Sequence, residues 1–324
     1  MSGPPPRPNE RDQNVLTRKE MVGPWAGLPV AWKDNGATFD EQVYRREVAK
    51  TCKAGVPGVY TAGTTGEFYA MEMDEWRAIA RATVEECRDQ GTPSMIGVTA
   101  TYTLGAQRRA AYAAELGADA IQLAVPYWME VDAREIVKFF KDVVSAAPDL
   151  TMTIYETLRS KISLTVEQHR AIFNAVGTYA AVKSNAGTVG TSEEGCAALS
   201  EFVNVWVGEH EWSSLGPHGA IGCASALVYM NPRYILRMFD LLQNKQWDEL
   251  AACCAVVDRL GEKGLAPFTE KGFTDTAYDH LQGLVAGFLD MSPQSRGPYV
   301  SCTDEDVKQL RSWMEANVPE LLKQ

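Results

Sequence analysis

From Gly23 onward the chain alternates short apolar runs with longer stretches whose apolar residues recur at helical spacing. The short runs are rich in β-branched and small residues, and most of them end in Gly, Thr, Ser or Asn. Eight such runs occur: PWAGLPVAW, PGVYTAG, SMIGVTA, DAIQLAVPY, LTMTIYET, YAAVKSN, VNVWVGE and GAIGCASA. Strands that alternate with helices form a parallel sheet, because each crossover helix covers one face of it.

The number of repeats predicts an α/β fold of the (β/α)8 TIM-barrel type, in which about 250 residues are usual. A doubly wound open sheet usually carries G-x-G-x-x-G or G-x-x-x-x-G-K-[ST] after its first strand, and neither motif occurs here. Beyond the eighth run the pattern is mostly helical. We therefore predict a flexible N-terminal arm over residues 1–22, a barrel over 23–230 and a helical region over 231–324, packed on the barrel.

Charge and composition exclude several classes of partner. The chain has 324 residues, with 31 basic and 42 acidic side chains and a net charge of −11. No basic block is available to neutralise phosphates, so we expect no nucleic-acid or membrane partner. No apolar run approaches the ~18 residues that a membrane helix needs, and the Pro-rich polar N-terminus is not a signal peptide.

Cysteine and histidine usage argues against a disulfide framework and against a metal site. The seven cysteines include an adjacent pair but no C-x-x-C motif, and the four histidines are scattered. We therefore predict a cytoplasmic protein without a metal or other cofactor.

Lys183 is the candidate nucleophile, because it ends the sixth apolar run, where the catalytic groups of such barrels gather. Burial would lower the pKa of this lysine and make a neutral amine available to attack a ketone. Tyr155, at the end of the fifth run, could relay protons to the resulting carbinolamine. Taken singly, a strand-end lysine more often reaches to solvent, and a strand tyrosine more often belongs to the core.

The GTTGE turn after the second run is the candidate carboxylate cradle. Gly63 allows close backbone approach, and Thr64 and Thr65 offer two hydroxyls beside consecutive N–H groups. The same turn could instead cap the following helix. Glu67, which ends the motif, is interpreted as a helix-start charge or a supporting hydrogen-bond acceptor rather than a general base.

Together these motifs resemble the family of dihydrodipicolinate synthase and N-acetylneuraminate lyase, pyruvate-dependent class I aldolases on a (β/α)8 barrel. The resemblance is carried by GVYTAGTTGEF, GADAIQLAVPYW, IYETLRSKISL, AAVKSNAG and VGEHEWSSLGPHGAIGCASALVYMNP, and by the 28 residues from Tyr155 to Lys183. It implies that Lys183 forms the Schiff base, that Tyr155 relays protons, and that Thr64 and Thr65 hold the keto-acid carboxylate.

The resemblance also assigns residues around this centre. Gly208 and Ile221 match backbone positions that line the lysine pocket, and Tyr127 matches the first tyrosine of a Pro-Tyr-Tyr motif. The second tyrosine of that motif is Trp128 here, which cannot relay protons. The family further implies a homo-oligomer, a tetramer or a dimer, in which Trp128 packs against the neighbouring subunit.

The segment after Tyr155 departs from the family pattern. It is one residue shorter, with Glu156 and Leu158 in place of Asn and Pro, and Lys161 stands where the pattern has Gly. Arg159 could hold a second carboxylate if the deletion falls just before it. The tryptophan and the lysine make the chain look locally more like the hydratase-aldolases that cleave arylidene-pyruvates.

We therefore expect a Schiff-base-forming lyase or aldolase that makes or cleaves a C–C bond next to pyruvate or a related 2-keto acid. The far end of the substrate should face Trp128, Glu156, Thr157, Leu158 and the Arg159–Lys161 turn. An apolar or hydroxylated acceptor is favoured over aspartate semialdehyde. A dehydratase or deaminase using the same imine, and a catalytically silent keto-acid-binding barrel, are the alternatives.

Overall fold

The structure is a computed structural model of the chain and describes residues 15–322. Eight parallel strands close into a barrel in the order β1-β10-β9-β8-β7-β6-β5-β4, and β2 and β3 form a separate antiparallel hairpin. The TIM-barrel prediction is confirmed. The strands are β1 (Gly23–Gly27), β2 (Trp32–Lys33), β3 (Thr38–Phe39), β4 (Val59–Thr61), β5 (Ser94–Gly97), β6 (Ala120–Leu123), β7 (Thr151–Glu156), β8 (Tyr179–Ser184), β9 (Asn204–Trp206) and β10 (Ala220–Ser225).

Helices surround the barrel and continue beyond it. They are α1 (Glu41–Lys53), α2 (Met73–Gln90), α3 (Thr103–Leu116), α4 (Ala133–Val144), α5 (Val166–Ala175), α6 (Glu193–Ser200), α7 (Trp212–Leu215), α8 (Pro232–Gln243), α9 (Trp247–Arg259), α10 (Ala266–Thr269), α11 (Asp275–Val285) and α12 (Asp304–Asn317). A π-helical segment, Leu260–Leu265, joins α9 to α10. Within residues 15–322, no helix is both long and apolar enough to span a membrane.

Large aromatic side chains fill part of the barrel interior. The Trp25 and Trp206 rings are 5.7 Å apart inside the barrel and fully buried. Glycines on neighbouring strands make space for them. A Cβ at Gly58 would lie 2.4 Å from the Trp25 ring, and one at Gly222 would lie 2.7 Å from Trp206.

Residues 15–22, predicted as part of the flexible arm, instead pack against the bottom of the barrel. Met21 is fully buried in the barrel interior, and its carbonyl accepts hydrogen bonds from the side chains of Asn204 and Trp206. Arg18 donates to carbonyl groups just before β9. These buried polar groups need partners, and the segment provides them. Residues 1–14 of the predicted arm lie outside the described residues.

The predicted boundary at residue 230 also needs correction, because α8 is the eighth helix of the barrel. Ile235 and Met238 of α8 are fully buried, and the ring of Phe239 packs over Gly23 of β1. The chain beyond α8 is helical, as predicted. Its segments cover one side of the barrel mouth, so this region is part of the wall around the strand ends.

Arg296 fixes this C-terminal region to the barrel. Its guanidinium lies 3.9 Å from the centre of the Trp32 ring and forms an ion pair with Glu75. Its backbone N–H donates to Glu67 at 2.8 Å, and the other carboxylate oxygen of Glu67 accepts from the Trp32 indole at 2.8 Å. Glu67 therefore acts as a supporting acceptor, as its position in the sequence suggested.

Candidate active site

Lys183 and Tyr155 lie side by side on neighbouring strands. The two residues are direct partners in the register of β7 and β8, so their side chains point the same way from the strand ends. The Lys183 ammonium lies 4.2 Å from the centre of the Tyr155 ring and 5.9 Å from that of Tyr60. The 28 residues between them form one strand-helix-strand repeat, which brings the chain back to the position beside Tyr155 on the next strand.

The Tyr155 hydroxyl belongs to a short chain of polar groups. It lies 3.1 Å from the Thr64 hydroxyl and accepts a hydrogen bond from the Asn185 amide at 3.4 Å. Burial raises the pKa of the Tyr155 phenol, but the charge of Lys183 and the bond to Thr64 lower it, and the net direction is downward. A phenol of this kind can exchange protons with a neighbouring group more readily than an ordinary tyrosine.

The expected lowering of the Lys183 pKa is wrong in direction. Burial does lower it, but the Tyr60 and Tyr155 phenols and the carboxylates of Asp275 and Asp279 raise it, and the net result lies above the ordinary value. The free protein therefore holds Lys183 as an ammonium group. Nucleophilic attack needs a group that removes its proton.

The GTTGE turn places its two threonines in different positions. The Thr64 hydroxyl faces Tyr155, whereas Thr65 is buried and lines the lysine pocket. The turn begins at Ala62, which has a φ of 54°, and it lies against β5 so closely that a Cβ at Gly97 would be 1.9 Å from the Ala62 carbonyl oxygen. Gly63 packs against the Tyr60 ring and Gln122.

A cavity of about 420 Å³ contains Lys183, and we call it the inner cavity. The barrel contributes one wall and the C-terminal helical region the other. Its lining residues are Tyr60, Thr65, Lys183, Ala224, Ala226, Gly261, Leu265, Ala266, Thr269, Asp275, Tyr278, Asp279 and Gln282. The C-terminal region, which sequence analysis treated as a packed extension, therefore supplies most of the residues that face the lysine.

Asp279 is the most perturbed acid of this cavity. Its side chain is buried, and burial raises the pKa of the carboxyl to about 7, against the nearby Thr65 hydroxyl and the charge of Lys183, which lower it. The neighbouring carboxylate of Asp275 raises it further. The sequence signal was available, because polar residues at positions 275, 278, 279 and 282 form one stripe on an otherwise buried helix.

A second cavity of about 630 Å³, the outer cavity, lies beside the ends of β7, β8 and β9. Its lining residues are Thr157, Leu158, Arg159, Ser184, Asn185, Ala186, Gly208, His210 and Glu211. Arg159 donates to Asp275 at 2.8 Å, so this ion pair links a residue of the outer cavity to one of the inner cavity. Sequence analysis did not single out Asn185, Glu211 or His210 as binding residues.

Seven of the predicted substrate contacts are absent from the lining of both cavities: Gly63, Thr64, Tyr127, Trp128, Glu156, Lys161 and Ile221. Trp128 is 73% exposed, and its carbonyl accepts from the Lys161 ammonium at 2.6 Å. Tyr127 packs edge-on against Phe68, with the ring centres 6.1 Å apart. Ile221 lies at a register irregularity between β9 and β10 and is absent from the lining of both cavities.

The prediction that Glu156 faces the substrate needs correction. The side chain is buried on the outer face of the sheet, where one carboxylate oxygen accepts from the Leu164 N–H at 2.7 Å and from the Ser163 hydroxyl at 3.1 Å. The other oxygen lies 3.3 Å from the His169 ring. Because residue 156 follows Tyr155 directly in the strand, its side chain points to the opposite face.

The described part of the chain contains no group of three or more His, Cys, Asp or Glu side chains placed to hold a metal ion. The absence of a metal or cofactor stays a prediction. The groups of the inner cavity are an amine, phenols, hydroxyls and carboxyls, which suit proton transfer and covalent chemistry at a carbonyl.

Fold and site together define a (β/α)8 barrel with a lysine-centred pocket at the carboxyl ends of its strands. The chain belongs to the dihydrodipicolinate synthetase family, whose family model matches residues 26–317. The resemblance inferred from the motifs is thereby confirmed.

The curated relatives include two kinds of enzyme. Over 147 residues the chain is 31% identical to a trans-O-hydroxybenzylidenepyruvate hydratase-aldolase of Pseudomonas aeruginosa, which covers 43% of this chain and 43% of that protein. Over 202 residues it is 27% identical to the 4-hydroxy-tetrahydrodipicolinate synthase of Brucella suis biovar 1 (strain 1330), covering 62% of this chain and 68% of the relative. The match thus spans less than half of the hydratase-aldolase.

Solved structures match over almost the whole chain. PhdJ bound to a substrate intermediate superposes with a TM-score of 0.79 at 22% identity, covering 94% of this chain and 99% of PhdJ. The dihydrodipicolinate synthase from Aquifex aeolicus gives a TM-score of 0.80 at 19% identity, covering 91% and 97%. At these identities the likeness establishes the fold.

Proposed function

We propose that the protein is a class I lyase or aldolase in which Lys183 forms an imine with pyruvate or a related 2-keto acid. The observation that carries this proposal is the pairing of Lys183 with Tyr155 in adjacent strands, with the Tyr155 hydroxyl 3.1 Å from that of Thr64. An amine, a phenol and a hydroxyl in this order can form a carbinolamine and move its protons. Family membership supports the same chemistry.

The keto acid enters the inner cavity with its carboxylate toward the GTTGE turn. There Thr64, Thr65 and the neighbouring backbone N–H groups donate to it, while the carbonyl carbon meets Lys183. Loss of water gives a protonated imine, which withdraws electrons from the adjacent carbon and so permits a C–C bond to form or break there. Gly208 remains a proposed backbone contact, at the edge of the outer cavity.

The outer cavity is the proposed site for the far end of the substrate. Arg159 already pairs with Asp275 at 2.8 Å, so a second substrate carboxylate would have to displace that partner. Leu158 offers an apolar surface, while His210 and Asn185 offer hydrogen bonds to a hydroxyl. We therefore propose an apolar or hydroxylated acceptor, and the names of the hydratase-aldolase relatives support that choice.

Reductive trapping tests the imine. Incubation with pyruvate and borohydride should add one reduced pyruvyl group to the peptide that contains Lys183. Lys161→Ala is a matched control, since Lys161 is a nearby lysine that bonds to Trp128 outside both cavities. Labelling that persists in Lys183→Ala would refute the proposal.

A panel of aldehydes tests the acceptor. Pyruvate would be combined with benzaldehyde-type aldehydes and, separately, with aspartate semialdehyde, in the wild type and in Arg159→Ala. We expect aromatic aldol products whose yield depends little on Arg159. Strong dihydrodipicolinate formation that collapses in Arg159→Ala would contradict the proposed acceptor.

A 2-keto acid dehydratase or deaminase using the same imine is the second candidate. The observation that favours it is the buried Asp279 carboxyl in the inner cavity, because a carboxylic acid can protonate a leaving hydroxyl. The carbon count of the product separates elimination from C–C cleavage. A catalytically silent barrel is disfavoured, since a keto-acid sensor needs no lysine nucleophile.

We also propose that the protein is a cytoplasmic homo-oligomer, a tetramer built from pairs of dimers. Four apolar side chains near the ends of β5 and β6 are more than half exposed: Tyr102, Trp128 and Met129 in the loops, and Leu104 in the first turn of α3. Apolar side chains of this size are typical of a contact between copies. Light scattering at micromolar concentration should give an oligomer, and Trp128→Glu should weaken it. All seven cysteines are unpaired, which supports a reducing compartment.

A further inference from the structure

One face of α11 presents a stripe of four polar residues to the inner cavity: Asp275, Tyr278, Asp279 and Gln282. Within this stripe the two carboxyls differ in their surroundings. Asp275 is 40% exposed and paired with Arg159, whereas Asp279 is 6% exposed, and no basic side chain of residues 15–322 forms an ion pair with it. A carboxyl buried without such a partner is costly, so its position in the lysine pocket calls for a function.

Asp279 is surrounded by groups that can pass protons. The Thr65 hydroxyl lies close to Asp279 and to the Tyr60 phenol, and Tyr229 lies near Asp279 from the segment after β10. The charged groups that act on Asp279 are Lys183 from β8 and Asp275 from its own helix. Asp279 in turn helps to raise the pKa of the Tyr69 phenol, which follows the GTTGE turn. Tyr278 completes the titratable groups of this wall.

The proposed function needs a group that takes the ammonium proton of Lys183. Tyr155 cannot store that proton while its own phenol is protonated. Asp279 lies in the same cavity, and its contact with Thr65 places it where the substrate carboxylate would arrive. A second negative charge beside Asp279 makes the carboxylate a stronger base.

We propose that Asp279 is the proton acceptor for Lys183, and that keto-acid binding at Thr65 drives this transfer. The inference rests on the proposed imine chemistry. In the first step the ammonium gives one proton to the Asp279 carboxylate, leaving a neutral amine and a neutral carboxyl group. The amine nitrogen then bonds to the keto carbon, the carbonyl electron pair moves to oxygen, and an N–H proton reaches that oxygen through Tyr155 and Thr64.

The second half of the cycle restores the charges. Asp279 returns its proton to the carbinolamine hydroxyl, the C–O bond breaks, and water leaves. The products are a protonated imine and the Asp279 carboxylate, so one keto group has been exchanged for one water molecule without any external acid, base or oxidant. The restored carboxylate then faces the positive imine across the cavity.

The test is the pH dependence of imine formation. Protein and pyruvate would be mixed between about pH 5.5 and 10, quenched into borohydride at one fixed pH, and the adduct counted by intact mass. The wild-type rate should rise through about pH 7, where Asp279 ionises, and then level off. In Asp279→Asn the rate near pH 7.5 should fall by roughly 10²–10⁴ and then increase steadily up to pH 10 without levelling off, because only the small fraction of Lys183 that has lost its proton unaided can react.

Two further variants make the result specific. Asp279→Glu should restore part of the rate near neutral pH, because it returns a carboxylate to the cavity. Asp275→Asn should move the rising limb toward lower pH, because it removes the like charge that raises the Asp279 pKa. A general loss of structure would lower the rate of both variants. It would neither restore the rate near neutral pH in Asp279→Glu nor move the rising limb to lower pH in Asp275→Asn.

The outcomes separate this inference from the proposed function. If wild-type protein forms no adduct at Lys183 with any 2-keto acid, the proposed function fails. If wild type is labelled there but Asp279→Asn keeps the wild-type rate and a limb near pH 7, only the role of Asp279 is refuted. A thermal melt shows that each variant is folded before its rate is compared.

Discussion

Replacing Asp279 with asparagine should stabilise the protein at neutral and alkaline pH while it impairs the reaction. The buried carboxyl has its pKa raised from 3.8 to about 7, so the folded state holds its proton more tightly than the unfolded chain does. Its contribution to stability is therefore fully present below about pH 4. That contribution is lost as the pH rises through 7, where the native carboxylate must carry its charge in the cavity.

The shift sets the size of the effect. At about 1.4 kcal/mol per pKa unit, the rise corresponds to roughly 4 kcal/mol lost between pH 4 and pH 8. Asparagine keeps the shape of the side chain but cannot ionise. With the unfolding entropy expected for a chain of 324 residues, one kcal/mol moves the melting temperature by about 1.5 °C. We expect Asp279→Asn to melt roughly 2–6 °C above the wild type at pH 8, and close to it at pH 4.

Scanning calorimetry of both proteins at one fixed concentration, from pH 4 to pH 9, measures this difference under matched conditions. Asp275→Asn is the matched control, since its carboxylate is partly exposed and paired with Arg159. Losing such a pair changes stability by about 1 kcal/mol or less. Because Asp275→Asn also lowers the Asp279 pKa without removing its charge, its gain at high pH should be much smaller than that of Asp279→Asn. A melting difference that stays constant across the range, or a less stable Asp279→Asn at pH 8, would refute the reasoning.

Three further outcomes test other parts of the site. Tyr155→Phe should lower turnover by about 10²–10⁴ with little change in melting temperature, and steady-state rates beside a thermal melt check both. Gly97→Ala should be strongly destabilising, because its Cβ would lie 1.9 Å from the Ala62 carbonyl oxygen, and it should also weaken keto-acid binding at the adjoining turn. Glu156→Ala should cost about 1–3 kcal/mol of unfolding free energy by leaving the Leu164 N–H and His169 without their acceptor, as denaturant titration can measure.

The barrel and its central pair were predictable because both depend on local periodicity and on one topological rule. Alternating apolar runs and amphipathic helices specify parallel strands, and a closed barrel brings their carboxyl ends together. Tyr155 and Lys183 each end such a run, so one crossover was enough to make them neighbours. The same rule placed Thr64 at the same end, and the structure brings its hydroxyl to Tyr155.

The predictions of site residues differ from the structure where the direction of a side chain, or packing between distant parts of the chain, determines what lies in the site. The Glu156 side chain was assigned to the substrate from its position in a motif, although strand alternation turns it to the other face. The Lys161 ammonium is held by the Trp128 carbonyl because the turn at Lys161 adopts a left-handed backbone, with a φ of 67°. Neither contact follows from residue type. The role of α11 was missed because nothing in the chain before it shows which side of the barrel it covers.

Asp279 also explains why a raised lysine pKa is compatible with nucleophilic chemistry. A lysine with a permanently lowered pKa would be ready to react at all times, whereas an ammonium beside a carboxylate stays protected until a substrate arrives. The keto-acid carboxylate, bound at Thr65 beside Asp279, would then make Asp279 a stronger base at the moment when the carbonyl carbon is within reach. Selectivity for 2-keto acids would follow from the same contact, since an aldehyde or ketone without a carboxylate cannot drive the proton from Lys183 to Asp279.

A neutral ketone of the same size should therefore form the imine with wild-type protein far more slowly than pyruvate does. Asp279→Asn has no carboxylate at position 279 to accept the Lys183 proton. In this variant the ratio of the two rates of imine formation should fall to the ratio that arises from substrate binding alone.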